Sequence, residues 1–241
     1  MGTESGGRKL QALKEALDLK KTKIQRGVLL WASSTRPRYP WRQPGKSVYE
    51  VLLGEVSIGE SNAAVATEVW QGLVKHFGSI RALAEAKEAD LRYVLSGFAL
   101  EEQAHDIKAL AESLLTEGRG DVPKDAESFA KVSKLEDHGI RAVMCFGYNV
   151  PTAVMDRHVE RMLSRLFMDA IPPHPSHGLL RAIAEGLLSY RCPQEYNRAM
   201  LDFAESVCHP EPVLCGGCPL RDACDFAKRL SEFTKVGARV A

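Results

Sequence analysis

Apolar side chains recur every third or fourth position through most of this chain. The segment AAVATEVWQGLVKHF (63–77) places six apolar residues on one side of a helix, namely Val65, Val69, Trp70, Leu73, Val74 and Phe77. Residues 104–115, 158–167 and 178–188 repeat the same period. No segment alternates convincingly between apolar and polar positions, as a half-buried strand would. The pattern predicts an all-α fold.

The composition is that of a globular protein, with 45% hydrophobic and 26% charged residues among 241. That length suits one large domain or two smaller lobes. A net charge of +1 supplies no strong field, so a nucleic-acid binder would need its basic residues concentrated on one face. No apolar run reaches the ~18 residues of a membrane span, and the N-terminal sequence MGTESGGRKL does not read as a signal peptide. We therefore expect a cytoplasmic protein that does not bind a membrane.

Four of the six cysteines fall in one short stretch, with the spacing Cys208-x6-Cys215-x2-Cys218-x5-Cys224. A reducing compartment disfavours disulfides, so a metal centre is the better interpretation of this stretch. Structural zinc sites usually join two short hooks, whereas this stretch holds a single Cys-x2-Cys pair. Four thiolates in one irregular loop favour a [4Fe–4S] cluster, with zinc as the alternative.

The two remaining cysteines, Cys145 and Cys192, lie outside this stretch in apolar or loop surroundings. Free cysteine is among the most buried residue types and packs as a small hydrophobic side chain. We expect both to be buried structural thiols.

The cysteine spacing, following EYNRAMLDFAESVC, resembles the cluster loop of the helix-hairpin-helix DNA glycosylases. The relevant branch contains endonuclease III, the adenine mismatch glycosylase and the thymine/uracil–guanine mismatch glycosylase. The resemblance runs from about Trp31 to Cys224 and includes YPWR (39–42), VYEVLLGEVSIGES (48–61) and RAVMCFGYNVPTAVMDRHVERML (141–163). It implies a base excision repair enzyme that carries a [4Fe–4S] cluster and acts as a monomer on damaged or mismatched double-stranded DNA, in association with the nucleoid.

The resemblance also implies two helical lobes. Residues 48–155 would form a contiguous domain with a degenerate hairpin near 135–142. Residues 1–47 and 156–241 would form the second domain, which carries the cysteine loop 208–224. Two acidic side chains, Glu55 and Asp156, would meet at the cleft between the lobes.

Glu55 falls within an apolar helical stripe, with Val51, Leu52 and Ile58 three or four positions away. A carboxylate on that side would lose its water, and burial raises a carboxyl pKa toward neutrality. A raised pKa suits a general acid or a group that positions water. The alternative is a partly exposed glutamate at the margin of the stripe. The resemblance implies that Glu55 assists departure of the base or entry of water.

Asp156 comes just before the stripe of residues 158–167, where an aspartate makes a good helix N-cap. A carboxylate at a helix N-terminus stays ionised, and a fixed negative charge stabilises an oxocarbenium-like sugar cation. The structural and the catalytic interpretation are compatible. The resemblance implies that Asp156 stabilises the developing sugar cation.

Base excision requires the target nucleotide to leave the duplex stack and enter a pocket. Tyr148, His158 and Ser57 are candidates to line that pocket, with ordinary packing as the alternative. The candidate basic contacts to DNA, for which a solvated surface position is the alternative, are Arg36, Arg38, Arg42, Arg157 and Arg161.

The chain departs from the family pattern where DNA would bind. The family hairpin usually reads like Leu-Pro-Gly-Val-Gly, and its backbone amides bind a phosphate. Here LEDHGIRA (135–142) is about three residues shorter, keeps only Gly139 and adds Glu136 and Asp137. Glu60 stands where the family usually places a glutamine or arginine that fills the gap left by the flipped base. Because each acid weakens attraction to phosphate, we predict a changed mode of DNA engagement.

Bifunctional members of the family carry a hairpin lysine that attacks the sugar. The segment LEDHGIRAVM (135–144) contains no lysine, so we predict base release without strand cleavage. The chain ends soon after the cysteines, from which we expect no extra C-terminal domain for reading oxidised guanine. The predicted enzyme is a monofunctional glycosylase that releases uracil, mispaired thymine or a related damaged base. The rival hypothesis is a catalytically idle cluster protein that binds DNA or a protein partner.

Overall fold

The fold is described from a computed structural model that covers residues 2–58, 63–98, 100–133 and 135–237. Helices dominate these residues and no strand occurs among them, which confirms the all-α prediction. The helices are α1 (Gly2–Ser33), α2 (Val48–Ser57), α3 (Ala63–His76), α4 (Ile80–Glu85), α5 (Glu88–Ser96), α6 (Gln103–Thr116), α7 (Ala126–Ser133), α8 (Asp137–Ala142), α9 (Arg157–Leu166), α10 (His177–Leu187), α11 (Pro193–Ser206) and α12 (Asp225–Gly237). None of the described helices combines the length and apolar character needed to cross a bilayer.

The chain divides into two compact units, residues 38–152 and residues 1–37 with 153–241. Residues 38–47 thus belong to the contiguous unit and residues 153–155 to the other, whereas the family resemblance implied the opposite assignment for both segments. For residues 38–47 the reason is Trp41, which is fully buried in the core of the contiguous unit, with its ring centroid 5.7 Å from that of Trp70. Gly54 of α2 permits this packing, because a Cβ there would lie 2.1 Å from the Trp41 indole.

The contiguous unit is built on the apolar stripe of α3. Val69, Trp70, Leu73 and Phe77 are buried in its core, as the sequence period predicts, and Val65 and Val74 pack against that core half-buried. Ser47 is the N-cap of helix α2 and forms a capping box with Glu50. The Ser47 hydroxyl accepts from the Glu50 backbone amide, and the Glu50 carboxylate accepts from the Ser47 backbone amide. The indole of Trp70 donates to the Glu50 carbonyl at 2.9 Å, which ties α3 to the first turn of α2.

The hairpin region of this unit consists of α7, a three-residue connection and α8. Helix α8 continues into a π-helical turn, Val143–Gly147. Gly139 lies inside α8, and a Cβ added there would make only ordinary contacts with Leu135, at 3.6 and 3.7 Å. The local backbone therefore places no requirement for glycine at this position, and a phosphate contact through Gly139 stays a prediction.

The second unit combines α1 with α9–α12. Its best-defined polar anchor is a buried ion pair between Lys20 of α1 and Asp225 at the start of α12, 2.6 Å apart. Lys20 also donates to the Leu166 carbonyl at the end of α9, again at 2.6 Å. The pair fixes α1, α9 and α12 together directly beside the cysteine loop, which ends at Cys224.

Candidate active site

The side chain of Glu55 is almost completely buried, with 1% of its surface exposed. Arg42 donates to both carboxylate oxygens, from Nε to Oε1 at 2.8 Å and from Nη2 to Oε2 at 2.9 Å. Trp41 Nε1 also donates to Oε1 at 2.9 Å. Helix α2 supplies the carboxylate and the short 3-10 turn Pro40–Arg42 supplies both donors. The local segment YPWR therefore functions as a clamp on Glu55.

The prediction that the pKa of Glu55 is raised is wrong. Burial by itself raises the pKa, but the charge and the two hydrogen bonds of Arg42, with smaller contributions from His138 and Trp41, outweigh burial and lower the pKa below its ordinary value. Glu55 is therefore held as a carboxylate at neutral pH. Such a group can stabilise positive charge or orient a neighbour, but it holds no proton to donate.

Arg42, which the sequence analysis named as a candidate DNA contact, is buried and paired with Glu55, and a contact between Arg42 and DNA stays a prediction. Its guanidinium lies 4.6 Å from the ring centroid of Tyr39 and 5.5 Å from that of Phe146, and its side chain is 3% exposed. Both of its arms are engaged by Glu55. Sequence reasoning treated each arginine as a surface residue by default and missed this pairing.

His138 is a member of this cluster that the sequence analysis overlooked. It lies in the first turn of α8, and its Nε2 is 3.8 Å from Oε2 of Glu55. The only sequence signal was a histidine within the atypical hairpin segment LEDHGIRA. Nothing in the local pattern indicated that this segment approaches α2, because the two are separated by more than eighty residues.

A cavity of about 810 Å³ within the contiguous unit borders this cluster. Glu55 and His138 contribute to its wall, together with polar residues of α6 and of the hairpin and an apolar set that includes Ile107, Leu110 and Leu135. The other charged or titratable members of the wall are His105, Asp106 and Glu136. The volume is well within the range of small-molecule sites.

Asp156 is the N-cap of α9, as predicted. Its Oδ1 accepts hydrogen bonds from the backbone amides of His158 at 2.9 Å and Val159 at 2.8 Å. The backbone of the segment that precedes Asp156 is also held by side-chain hydrogen bonds. Glu185 accepts from the amide of Ala153 at 3.1 Å, and Asn197 accepts from the amide of Val154 at 2.8 Å.

The other candidate pocket residues make polar contacts within the protein. The Ser57 hydroxyl is buried and donates to the Leu53 carbonyl one helical turn earlier, at 2.6 Å. The Tyr148 hydroxyl donates to the Val122 carbonyl, and burial followed by the charge of Asp121 raises its pKa. His158 Nδ1 lies 3.2 Å from both terminal nitrogens of Arg161. Base contacts by these residues stay predictions, and Glu60 lies outside the described residues.

The four clustered cysteines are all free thiols in a loop shaped by two 3-10 turns, Cys215–Gly217 and Arg221–Ala223. Burial, reinforced by the charges of Cys208, Cys215 and Cys218, raises the pKa of the Cys224 thiol to about 11. The four sulfurs are therefore close enough to act on one another. Arg165 Nη1 lies 3.4 Å from the Cys208 sulfur, which supplies a cation beside the thiols.

The donor set fits an iron–sulfur cluster in chemistry and in number, since such clusters take four cysteine thiolates. Among the described residues, however, no group of three or more histidine, cysteine, aspartate or glutamate side chains has the arrangement of a metal-ion site. Outside the loop, Cys145 is buried as predicted, whereas Cys192 is only half-buried and its sulfur lies 3.3 Å from the Ser189 hydroxyl.

A family model described as "HhH-GPD superfamily base excision DNA repair protein" matches residues 59–185, more than half of the chain. The chain belongs to the HhH-GPD superfamily. The matched range contains α3 through most of α10, and with them the hairpin, His138 and Asp156. The resemblance stated from the cysteine spacing and the motifs around Glu55 and Asp156 is thereby confirmed.

Two relatives show which named members of the superfamily this HhH-GPD protein is similar to in sequence. The adenine DNA glycosylase of Mycolicibacterium smegmatis is 24% identical over 193 residues, which cover 80% of this chain and 66% of that protein. The chain thus spans slightly less than two thirds of the length of that relative. The thymine/uracil-DNA glycosylase of Pyrobaculum aerophilum is 24% identical over 217 residues, which cover 86% of this chain and 93% of that protein.

The fold comparison agrees with the family. The solved structure of a thermostable thymine-DNA glycosylase superposes with a TM-score of 0.80, at 18% identity, over 90% of this chain and 99% of that chain. At this level of identity the likeness shows the fold alone. It confirms the predicted all-helical fold of the helix-hairpin-helix glycosylases, while the cluster loop and the substrate are not addressed.

Proposed function

We propose that this HhH-GPD protein is a DNA glycosylase that hydrolyses the N-glycosidic bond of a damaged or mispaired base in double-stranded DNA. The observation that carries the proposal is the clamped Glu55 carboxylate, ionised and almost solvent-free at the wall of a cavity. A glutamate is rarely buried this completely unless it is paired, and perturbed buried carboxylates cluster at functional sites. Membership of a base excision repair family supplies the reaction class.

Asp156 is proposed to stabilise the sugar cation that develops as the bond to the base breaks. Its Oδ1 is fixed by two amides of α9, so the carboxylate does not need to reorganise during the reaction. Fixed charge of this kind is the most effective way for an enzyme to stabilise an oxocarbenium-like transition state.

Glu55 is proposed to act as a carboxylate rather than as an acid. Arg42 and Trp41 hold three hydrogen bonds to it, which fixes both its orientation and its charge. In this state it can favour positive charge nearby or align a group that handles a proton. Because its pKa is lowered, Glu55 is not the group that protonates the departing base.

The reaction is proposed to stop at base release. Strand cleavage by bifunctional relatives of the family depends on an amine nucleophile, and residues 135–144 contain no lysine. Uracil, or thymine opposite guanine, is the proposed substrate, in keeping with the name of the Pyrobaculum aerophilum relative and with its coverage by this chain.

Cys208, Cys215, Cys218 and Cys224 are proposed to bind a [4Fe–4S] cluster. When bound, the cluster would cross-link the loop that follows α11 and so order it. Arg161 and Arg165 on α9 hold this loop by hydrogen bonds. Arg161 donates to the Cys208 carbonyl at 2.9 Å, and Arg165 donates to the Pro210 carbonyl at 3.0 Å. The same helix carries Asp156 at its N-terminus, so the loop and the catalytic carboxylate share one support.

The test is a base-release assay on duplexes that contain uracil, thymine opposite guanine, or deaminated purines, at low salt. We expect release from at least one substrate, loss of release in Asp156→Asn, and strand breakage only after alkaline treatment. A chain that releases no base from any duplex but retains DNA binding would instead support the idle binding protein. Sizing chromatography with and without a bound duplex tests the proposed monomer.

A further inference from the structure

The Glu55 cluster consists of Trp41, Arg42, Glu55 and His138. His138 is the member whose titratable imidazole lies at the cavity. Trp41, Arg42 and Glu55 are 0%, 3% and 1% exposed, whereas the side chain of His138 is 30% exposed. His138 also lines the cavity of about 810 Å³. Glu55 also contributes to the cavity wall, but His138 presents much the larger exposed side-chain fraction of the two.

The position of Glu55 gives the imidazole a charge partner. Oε2 of Glu55 lies 3.8 Å from Nε2 of His138, a distance for an ion pair rather than a hydrogen bond. Arg42 holds both carboxylate oxygens and prevents the carboxylate from turning away. A carboxylate held beside an imidazole at a cavity is an arrangement in which histidine can serve as a general acid and base.

The surrounding charges are few. Arg42 lies behind Glu55, Glu136 precedes α8 on the side of His138, and His105 and Asp106 contribute to the cavity wall from α6. Arg141, one turn further along α8, is directed to Asp137 at 2.9 Å and to the Thr152 hydroxyl at 2.6 Å. The two arginines of this group, Arg42 and Arg141, are thus each paired with a carboxylate.

We propose that His138 is the residue that transfers protons to and from the substrate during base release, an inference that rests on the proposed glycosylase function. As the bond between the sugar C1′ and the base nitrogen breaks, its electron pair stays with the base, which takes a proton from the imidazolium. Water then adds to C1′ and gives a proton to the neutral imidazole. One water is consumed and the imidazolium is restored, so the step balances as a hydrolysis.

The test is single-turnover base release by the full chain from pH 5 to pH 9, with the best substrate of the assay above. General acid–base groups contribute about 100- to 10,000-fold to such rates, so His138→Gln should reduce the rate by about 100-fold or more. It should also remove the limb of the pH–rate profile that falls in the range where histidine titrates. DNA affinity, measured by gel shift, should stay unchanged.

Two variants separate chemistry from folding. In His138→Ala, added imidazole should restore part of the rate, since a free imidazole can occupy the space left by the side chain. His76→Gln is the matched control, because His76 is an exposed histidine at the end of α3, with its Nδ1 2.9 Å from the Gly72 carbonyl, and is not among the residues that line the cavity. His76→Gln should leave the rate and its pH profile unchanged, and imidazole should not affect it.

The outcomes distinguish the two proposals. If Asp156→Asn is inactive while His138→Gln retains the wild-type rate and pH profile, the role of His138 is overturned and the glycosylase function stands. If His138→Ala is slow, but imidazole does not restore it and the residual rate keeps the wild-type pH profile, His138 is structural only. If the wild-type chain releases no base, the proposed function falls first and the role of His138 falls with it.

Discussion

Arg42 holds both carboxylate oxygens of Glu55, at 2.8 and 2.9 Å, in a place where neither side chain is more than 3% exposed. The pair converts what would be a neutral, proton-bearing acid into a fixed negative charge. It also makes each partner dependent on the other, because an unpaired charge in such a site is costly.

Removing the cation should therefore destabilise the contiguous unit strongly. We expect Arg42→Met to lower the free energy of unfolding at pH 7 by about 3–5 kcal/mol, because it leaves the buried Glu55 carboxylate without the arginine that balances its charge. Urea unfolding measures the change. The matched control is Arg81→Met, which breaks the exposed Arg81–Glu85 pair (71% and 62% exposed) and should cost no more than about 1 kcal/mol. Equal losses in the two variants would contradict the buried pairing.

The stability contributed by Glu55 should depend on pH in a definite direction. Its folded-state pKa lies below the ordinary value of 4.5, so the unfolded chain takes up this proton first as the pH falls. The contribution is complete above about pH 4.5 and is lost as the pH falls through the folded-state pKa. The difference in unfolding free energy between wild type and Glu55→Gln should shrink from pH 7 to pH 3. A difference that grows in acid would indicate a raised pKa instead.

Gly54 should tolerate no side chain. A Cβ there would lie 2.1 Å from the Trp41 indole, so Gly54→Ala should destabilise by about 1–3 kcal/mol despite the better helix propensity of alanine. Gly186→Ala is the control, because a Cβ in α10 would meet Leu17 at an ordinary 3.4 Å. That variant should be neutral or slightly more stable in thermal unfolding. Activity should fall in Gly54→Ala alone, since displacement of Trp41 loosens the clamp on Glu55.

Asn197 should affect catalysis through the segment that precedes Asp156. It accepts from the buried amide of Val154 at 2.8 Å, and its own amide donates to the Pro193 carbonyl at 2.8 Å. Asn197→Ala should cost about 1–3 kcal/mol through the unsatisfied buried amide and should reduce the rate of base release more than DNA affinity. Ser164→Ala, which removes only a bond within α9 at 2.8 Å, is the control. Loss of affinity without loss of rate would contradict a positioning role.

The proposed cluster makes a prediction that requires no substrate. Purified protein should contain about four iron atoms per chain, and Cys218→Ser should reduce the iron content and weaken the loop toward proteolysis. Cys192→Ser is the control, since Cys192 lies outside the loop and should not affect iron. A colourless protein that contains zinc in place of iron would overturn the cluster and leave the four cysteines as a zinc site.

The helices were predictable because their signal is local. The stripe on α3 repeats every 3.6 residues, and Asp156 precedes the stripe on α9 at the position where an aspartate caps a helix, so both features could be read within one window of sequence. The state of Glu55 was not predictable in that way. Its neighbours in sequence indicated burial, and burial alone raises a carboxyl pKa, whereas Arg42 and His138 approach from segments thirteen and eighty-three positions away.

The sequence by itself determined the all-helical fold, the family and the four clustered cysteines, since each rests on period, spacing or motif order along the chain. Only the tertiary structure decided which charges meet. It removed Arg42 from the surface, lowered the pKa of Glu55 so that it is a carboxylate at neutral pH, and brought His138 to the wall of a cavity. The physical reason is that electrostatic energy depends on distance and on exclusion of water, and neither is a property of positions along a chain.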